Sequence, residues 1–452
     1  MEPTSEPTPQ STPQSTPQST PQPTTARAVT GRTLRYRPFN LARWLIWGMT
    51  ALLMAILPLV FSGGFAVTLL SQMGIMIIFA LSYNMLLGQT GMLSFGHAVY
   101  SGLGAFIAVH VLNMIGAGKV WFPVSLLPLV GGLAGAFFGV LFGYVTTKKS
   151  GTTFAMITMG IGEMVFASSL MFPDFFGGEG GISTNRVVGE SFLGITFGPG
   201  RQVYYLIAAW CLVSMAAMYA WTQTPLGRIA NAVRDNPERV EFIGYNTQRV
   251  RYLVLILSAF FAGISGALSA INFEIVSAEN VSAVRSGGVL LAAFIGGAGV
   301  FFGPVIGAIV FMLFAVALSD LTKAWLLYLG LFFVLMVMFV PGGIASLLLR
   351  QVPLIAARRF RQMLPSYGQG TLAALVLLAA LILTVEMVYK VQVDSANGTA
   401  MSLAGIGFDA GTPVPWVVAA VLWAVGAVAW RWAAARVRAQ LDRIQAETGG
   451  SV

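Results

Sequence analysis

The polar side chains of this chain that could do chemistry at membrane depth gather in one stretch, Asn84 to Phe106. It reads N-M-L-L-G-Q-T-G-M-L-S-F-G-H-A-V-Y-S-G-L-G-A-F and sets Asn84, Gln89, Thr90, Ser94 and His97 among glycines. Amides, hydroxyls and an imidazole recognise polar solutes by hydrogen bonding, and inside a membrane such groups need partners or a watery cavity. Glycines there also permit a helix to break, exposing backbone groups to a solute near the midplane. The same residues equally fit a cytoplasmic turn, with Gly88 and Gly91 capping two helices and His97 a satisfied packing residue. Glu163, in G-I-G-E-M-V-F, is the one carboxylate near the middle of an apolar run. It is expected to face the bundle interior, as a structural or path-lining group. A proton relay uses several ionisable groups, and only His97 or His110 stands at comparable depth.

Enzyme signatures are missing. The Gly118-Lys119 pair lacks the upstream Gly and the following Ser or Thr of a phosphate loop, and His97 and His110 are wrongly spaced for H-E-x-x-H. No Gly-x-Ser-x-Gly elbow or acidic calcium loop is present. With Cys211 the only cysteine, neither an intrachain disulfide nor a cysteine metal site is possible. The sequence predicts no catalytic residue, metal or cofactor, and any ATP that drives this protein must bind another chain.

The elements that position these residues follow from composition. With 452 residues, 56% hydrophobic and 10% charged, the chain has too little polar surface for a soluble fold. Each apolar run of about 20 residues spans a hydrocarbon core of ~30 Å, and continuous rather than alternating apolarity means helices, not a barrel. The predicted fold is all-α, a polytopic transmembrane bundle. Its apolar runs cover 44–61, 65–87, 92–114, 123–146, 153–172, 203–222, 252–273, 287–299, 304–319, 323–340, 371–390 and 414–433. The run 287–299 is short for a crossing and fits a re-entrant or broken helix as well.

Residues 1–43 are expected to be a disordered tail over 1–25, with Ser-Thr-Pro-Gln three times over from Ser11 to Gln22, and then a basic flank up to Arg43. No signal peptide is visible, because the first apolar run is too long for an h-region. The net charge of +9 does not point to nucleic acid, because the arginines sit in short loops beside apolar runs. An N-terminus held in the cytoplasm by Arg27, Arg32, Arg35, Arg37 and Arg43 makes crossing parity agree with arginine placement. Lys148 and Lys149, the segment 225–252, the Arg350 to Arg361 loop and Arg436 to Arg443 all fall inside. The loop 173–202 and Glu274 to Arg285 fall outside, and both termini are predicted to be cytoplasmic.

Small residues recur every four positions at Gly131, Gly135, Gly139 and Gly143, at Ala262, Gly266 and Ala270, and at Gly299, Gly303 and Gly307. Such spacing lines one helix face and lets another backbone approach, so these positions are expected to pack helices.

The segment from Pro225 to Tyr252 is a charged island between two apolar runs. Leu226, Ile229, Ala230 and Val233 form one apolar stripe, with Arg228 and Arg234 expected to point away from it. Asn236, Pro237 and Glu238 suit the cap and first turn of a second short helix ending near Ile243. Gly244 suits its stop, and Asn246 or Thr247 the cap of the next span. A rigid two-helix knob is predicted; a connector whose arginines only meet anionic lipid is the plainer alternative.

These stretches resemble one family. G-R-I-A-N-A-V-R-D-N-P-E-R-V-E-F-I-G-Y-N at Gly227 to Asn246, S-A-F-F-A-G-I-S-G-A-L-S-A at Ser258 to Ala270, and Asn84 to Ala105 look like permease subunits of branched-chain amino-acid ABC importers. Further similarity lies in G-T-T-F-A-M-I-T-M-G-I-G-E at Gly151 to Glu163, F-G-G-E-G-G-I at Phe176 to Ile182, and I-G-G-A-G-V-F-F-G-P-V-I-G-A at Ile295 to Ala308. The resemblance implies a permease core over 44–345, of about 10 helices. Residues 351–452 stand as an extension with two further transmembrane helices and a basic cytoplasmic tail. It also implies a bacterial inner-membrane subunit that works with a second homologous permease, two cytoplasmic ATP-binding subunits and a periplasmic receptor. The island would dock on an ATPase through Gly227, Arg228, Arg234, Glu238 and Gly244. Branched-chain amino acids are the implied cargo, and closely similar permeases carry urea, short amides or aromatic carboxylates. A secondary transporter or channel is the rival class, but it would need a coupling-ion site, and intramembrane acids beyond Glu163 are scarce.

Overall fold

The computed structural model describes residues 41–188, 196–356, 360–393, 398–403 and 405–447. The expected disordered tail and basic flank up to residue 40, Arg358 and Arg359 lie outside the described residues. The chain divides into two units after Thr50. In the first, the described residues are the opening turns of α1 (Leu41–Val60), with Trp44, Leu45, Ile46 and Met49 exposed.

The second unit continues α1 and then runs through α2 (Gly64–Thr90), α3 (Ala98–Gly116), α4 (Leu127–Thr146), α5 (Gly151–Met171) and the short α6 (Pro173–Phe176). After a long loop come α7 (Gly200–Thr222), α8 (Pro225–Asp235), α9 (Pro237–Phe242), α10 (Thr247–Phe273) and α11 (Ala283–Gly296). α12 (Gly303–Met312) runs into a π-helical turn at Leu313–Leu318, followed by α13 (Trp325–Phe339), α14 (Gly343–Ala356), α15 (Phe360–Gln392) and α16 (Pro413–Glu447). Among the described residues, eight helices are long and apolar enough to cross a membrane, or nine if α13 and α14, bent by 48° at their break, count as one span. Two of the eight are α15 and α16. Trp44–Val60, α11 and Gly303–Leu318 are shorter apolar helices. The protein is a polytopic helical bundle, and the short run at 287–299 belongs to a 14-residue helix.

α10 is the hub: 83% of its most apolar window is buried, against 17% for α15 and α16 at the periphery. Lipid gives helices no hydrophobic reason to associate, so close backbone approach must hold this centre together. Gly131, Gly135, Gly139 and Gly143 of α4 all face α10. A Cβ at Gly139 would stand 2.8 Å from the Ala259 methyl, and one at Gly135 would collide with Ala259 O. Across the hub, Gly266 abuts Ser101 of α3, and Ala262 and Ala270 are fully buried. Gly303 and Gly307 pack against Gly297 and Ala292 at the α11–α12 corner. Gly299 differs from the expected pattern: it is exposed in the turn, with nothing near its missing side chain.

Two small ribbons finish the loops. β1 (Ile182–Ser183) pairs antiparallel with β2 (Ile275–Val276), with Ile182 opposite Val276. Arg186 locks that ribbon: its N–H donates to Glu274 Oε1 at 2.9 Å, and its guanidinium donates to the Phe197, Gly198 and Asn272 carbonyls. β3 (Ala400–Leu403) and β4 (Ile406–Asp409) form a hairpin between α15 and α16. The α15–α16 pair meets the rest of the bundle at Glu386, which accepts from Thr322 Oγ1 at 2.7 Å and Tyr328 Oη at 3.1 Å.

Candidate translocation and coupling site

α2 ends at Gly91, whose φ of +69° is the left-handed conformation that suits glycine, and whose N–H donates to Leu86 O and Leu87 O. The chain does not then leave the bundle. Residues 91–97 run back beside the last turns of α2: Met92 N–H donates to Leu86 O, Tyr83 Oη to Ser94 O, and His97 Nε2 lies 3.0 Å from Ser82 Oγ. α3 therefore starts deep in the protein. Non-helical backbone is tolerated at such depth only where protein or a cavity satisfies it. Here Phe95 N–H donates to Thr158 Oγ1 of α5 at 3.2 Å, and Ala98 N–H to Ser286 Oγ of α11 at 3.0 Å. The geometry carries a part of each sequence reading: Gly91 caps α2 and His97 packs among aromatic rings, while the backbone between the two helices is buried in the bundle.

His97 is fully buried, with the Phe79 ring stacked 5.5 Å away and the Tyr83 and Tyr100 rings edge-on. Three side-chain atoms on the last turns of α2 and the connector are nonetheless buried without a hydrogen-bond partner: Asn84 Oδ1, Ser94 Oγ and His97 Nδ1. Thr90 is satisfied by Leu86 O, and Gln89 Oε1 accepts from Asn231 Nδ2 of α8 at 2.8 Å. A cluster of open donors and acceptors is what a polar solute needs, because unpaired buried polar groups are costly until something pairs them.

Glu163 departs from its expected position. It does not face the interior of this chain but lies exposed on α5, on a side shared with Met156 (75% exposed) and Met159. The opposite side of α5 carries Thr158 and Gly162, which press on Gly96 of the connector. The helix is thus oriented by its small residues toward the connector, and the carboxylate is left for whatever covers the outer face. Among the described residues, no group of three or more His, Cys, Asp or Glu is placed to hold a metal.

The island folds as two capped helices. Thr224 Oγ1 accepts from Gly227 N–H to start α8, Asn236 Oδ1 from Arg239 N–H to start α9, and Asn246 Oδ1 from Arg249 N–H to start α10. Gly244, at φ +88°, turns the chain between the last two. Ala230 and Val233 bury the α8 stripe, and Gly227 sits against the Trp221 carbonyl with no room for a side chain. Arg228 and Glu238 are exposed.

Arg234 does not simply point away. Its Nη1 donates to Gly88 O in the last turn of α2, where carbonyls have no helical partner and the helix dipole favours a cation. Together with Asn231–Gln89, this ties α8 to the turn that begins the connector. The residues the knob offers outward are others: Phe242 is 91% exposed and Ile243 69%, both at the end of α9. The sequence reading placed them at the end of a short helix and gave them no role. Asn231 and Ser286 were equally hidden, since nothing in the sequence pairs them with residues 142 and 188 positions away.

Comparison with known proteins agrees with this architecture. The family described as branched-chain amino acid transport system, permease component, matches residues 65–341. The chain is 28% identical to the high-affinity branched-chain amino acid transport system permease protein LivM of Escherichia coli K12, over 62% of this chain and 70% of that one. LivM of Salmonella typhimurium is 27% identical over 72% of this chain and 79% of its own length. The galactose/methyl galactoside import permease protein MglC of Salmonella typhimurium is 30% identical over 54% and 75%. No solved structure matches. The chain belongs to the branched-chain amino acid transport system permease family, as a multi-pass membrane component.

Proposed function

We propose that this chain is the permease subunit of an ATP-driven importer of branched-chain amino acids in a bacterial inner membrane. In this reading, the translocation path lies between the chain and a second, similar permease. Asn84 of α2 and the connector residues Ser94 and His97, with Gln89, Thr90 and the outward Glu163, contribute its wall. The knob 225–252 docks on a cytoplasmic ATP-binding subunit, a periplasmic receptor delivers the solute, and residues 351–452 form a separate extension on the core 44–345. ATP hydrolysis belongs to the partner subunit.

One observation carries the reading: the α8 knob is tied by Arg234 to Gly88 O and by Asn231 to Gln89 Oε1, at the turn from which the open polar groups of the connector begin. A push on α8 therefore reaches the connector through two polar contacts. The test is reconstitution of the chain with its permease, ATPase and receptor partners in liposomes. Leucine, isoleucine or valine uptake that requires ATP is the expected result. Uptake without ATP, or preferential uptake of galactose, would overturn it.

A further inference from the structure

Arg285, in the first turn of α11, has no carboxylate partner among the described residues. Its Nη2 donates to Ser269 Oγ of α10 at 3.4 Å, its guanidinium carbon stands 5.9 Å from the centre of the Phe79 ring, and its Nε is buried without a partner. The ion pairs Arg186–Glu274 and Arg234–Asp235 do not involve it. Arg285 is half-buried, and withdrawing even part of a charge from water is costly unless an opposite charge or good hydrogen bonds compensate. A 3.4 Å contact to a hydroxyl and the face of one ring compensate little, which leaves the guanidinium able to take an anion.

Its surroundings point the same way. The Phe79 ring that Arg285 overhangs is also stacked on His97, and the Nδ1 of that fully buried imidazole has no partner. The next residue, Ser286, accepts from Ala98 N–H, fixing the Arg285 turn against the connector. On the other side of the connector, Gly96 touches Gly162, next to the exposed Glu163. Residues 96–98 are thus flanked by elements carrying one cation and one anion.

We infer that Arg285 is the specificity-determining residue that receives the carboxylate of the transported solute. A guanidinium meets a carboxylate with two parallel hydrogen bonds, geometry that a neutral sugar or urea cannot match. The inference rests on the reading of the connector as path wall.

The test uses the assembled transporter with Cys211→Ala, which removes the buried thiol, and Val284→Cys as reporter, since Val284 is 85% exposed beside Arg285. Labelling by an anionic sulfonatoethyl thiosulfonate is compared with labelling by its cationic trimethylammonium counterpart. Arg285→Gln should lower the anion-to-cation ratio by about tenfold or more, because a unit charge about 10 Å away acts with opposite sign on the two reagents and is partly screened by salt. Arg285→Lys should keep the ratio. In uptake, Arg285→Gln should cut the maximal leucine rate about tenfold, while leucine binding to the receptor is unchanged. An unchanged ratio, an unlabelled Val284→Cys, or leucine uptake at the full rate in Arg285→Gln would each overturn the assignment. If the ratio shifts as expected but the intact transporter carries no amino acid, the cargo reading fails and the anion site stands.

Discussion

Replacing Arg234 by alanine should separate ATP hydrolysis from transport without unfolding the knob. The α8 stripe and the Thr224 and Asn236 caps do not involve the guanidinium, so the helix persists. What disappears is the bond to Gly88 O, which caps α2 where the connector begins. A hydrogen bond from a charged donor contributes ~1.5–3 kcal/mol, and the Arg234 side chain is 36% exposed, so the lower end applies. About 1.5 kcal/mol corresponds to roughly tenfold in the equilibrium that links knob and connector. The assay is leucine taken up per ATP hydrolysed in proteoliposomes, with an expected fall of about tenfold. Asp235→Ala is the control: its pair with Arg234 at 2.9 Å is solvent-exposed and contributes about 0–1 kcal/mol, so the ratio should hold. Equal ratios for wild type and Arg234→Ala, with both ATPases active, would refute transmission through this contact.

Gly135→Leu should lower the melting temperature of the purified protein, because overpacking the α4–α10 contact costs about 1–3 kcal/mol. Gly244→Val must place a β-branched residue at φ +88°, a strain of about 1–2 kcal/mol, and should weaken uptake while the chain stays inserted. Phe242→Asp puts a charge where an apolar ring is exposed, and should abolish co-purification of the ATP-binding subunit with insertion unchanged. Removing residues 1–25 should leave uptake at the wild-type level, measured at matched expression.

Local grammar was readable in the sequence and tertiary pairing was not. Asn236-Pro237-Glu238 and Gly244 mark out α9 because capping and left-handed turns depend on residues a few positions apart. Glycines every four residues announce a close helix contact, although they do not name α10 as the partner. Gly299 shows the limit of that pattern: it completes a period with Gly303 and Gly307 but lies in a turn, where period has no meaning. Glu163 was misplaced because depth in an apolar run says nothing about azimuth, and its azimuth is fixed by Thr158 and Gly162 meeting the connector. Arg234 was read only as pointing away from the α8 stripe, because helix periodicity cannot see the α2 carbonyl that it meets. Arg285 carried no signal beyond its charge, since its isolation depends on which acids fold elsewhere.

The returning connector also sets an order of assembly. Its Phe95 and Ala98 amides are satisfied by hydroxyls 63 and 188 residues further along the chain. A ribosome feeding this protein into a membrane delivers α2 and α3 long before Ser286 exists. Until α11 arrives, that stretch of backbone must stay hydrated or borrow other partners, because bare amides do not persist in hydrocarbon. The connector thus closes only once α11 has arrived, and a chain truncated before residue 286 would leave the Ala98 amide without the hydroxyl that pairs it.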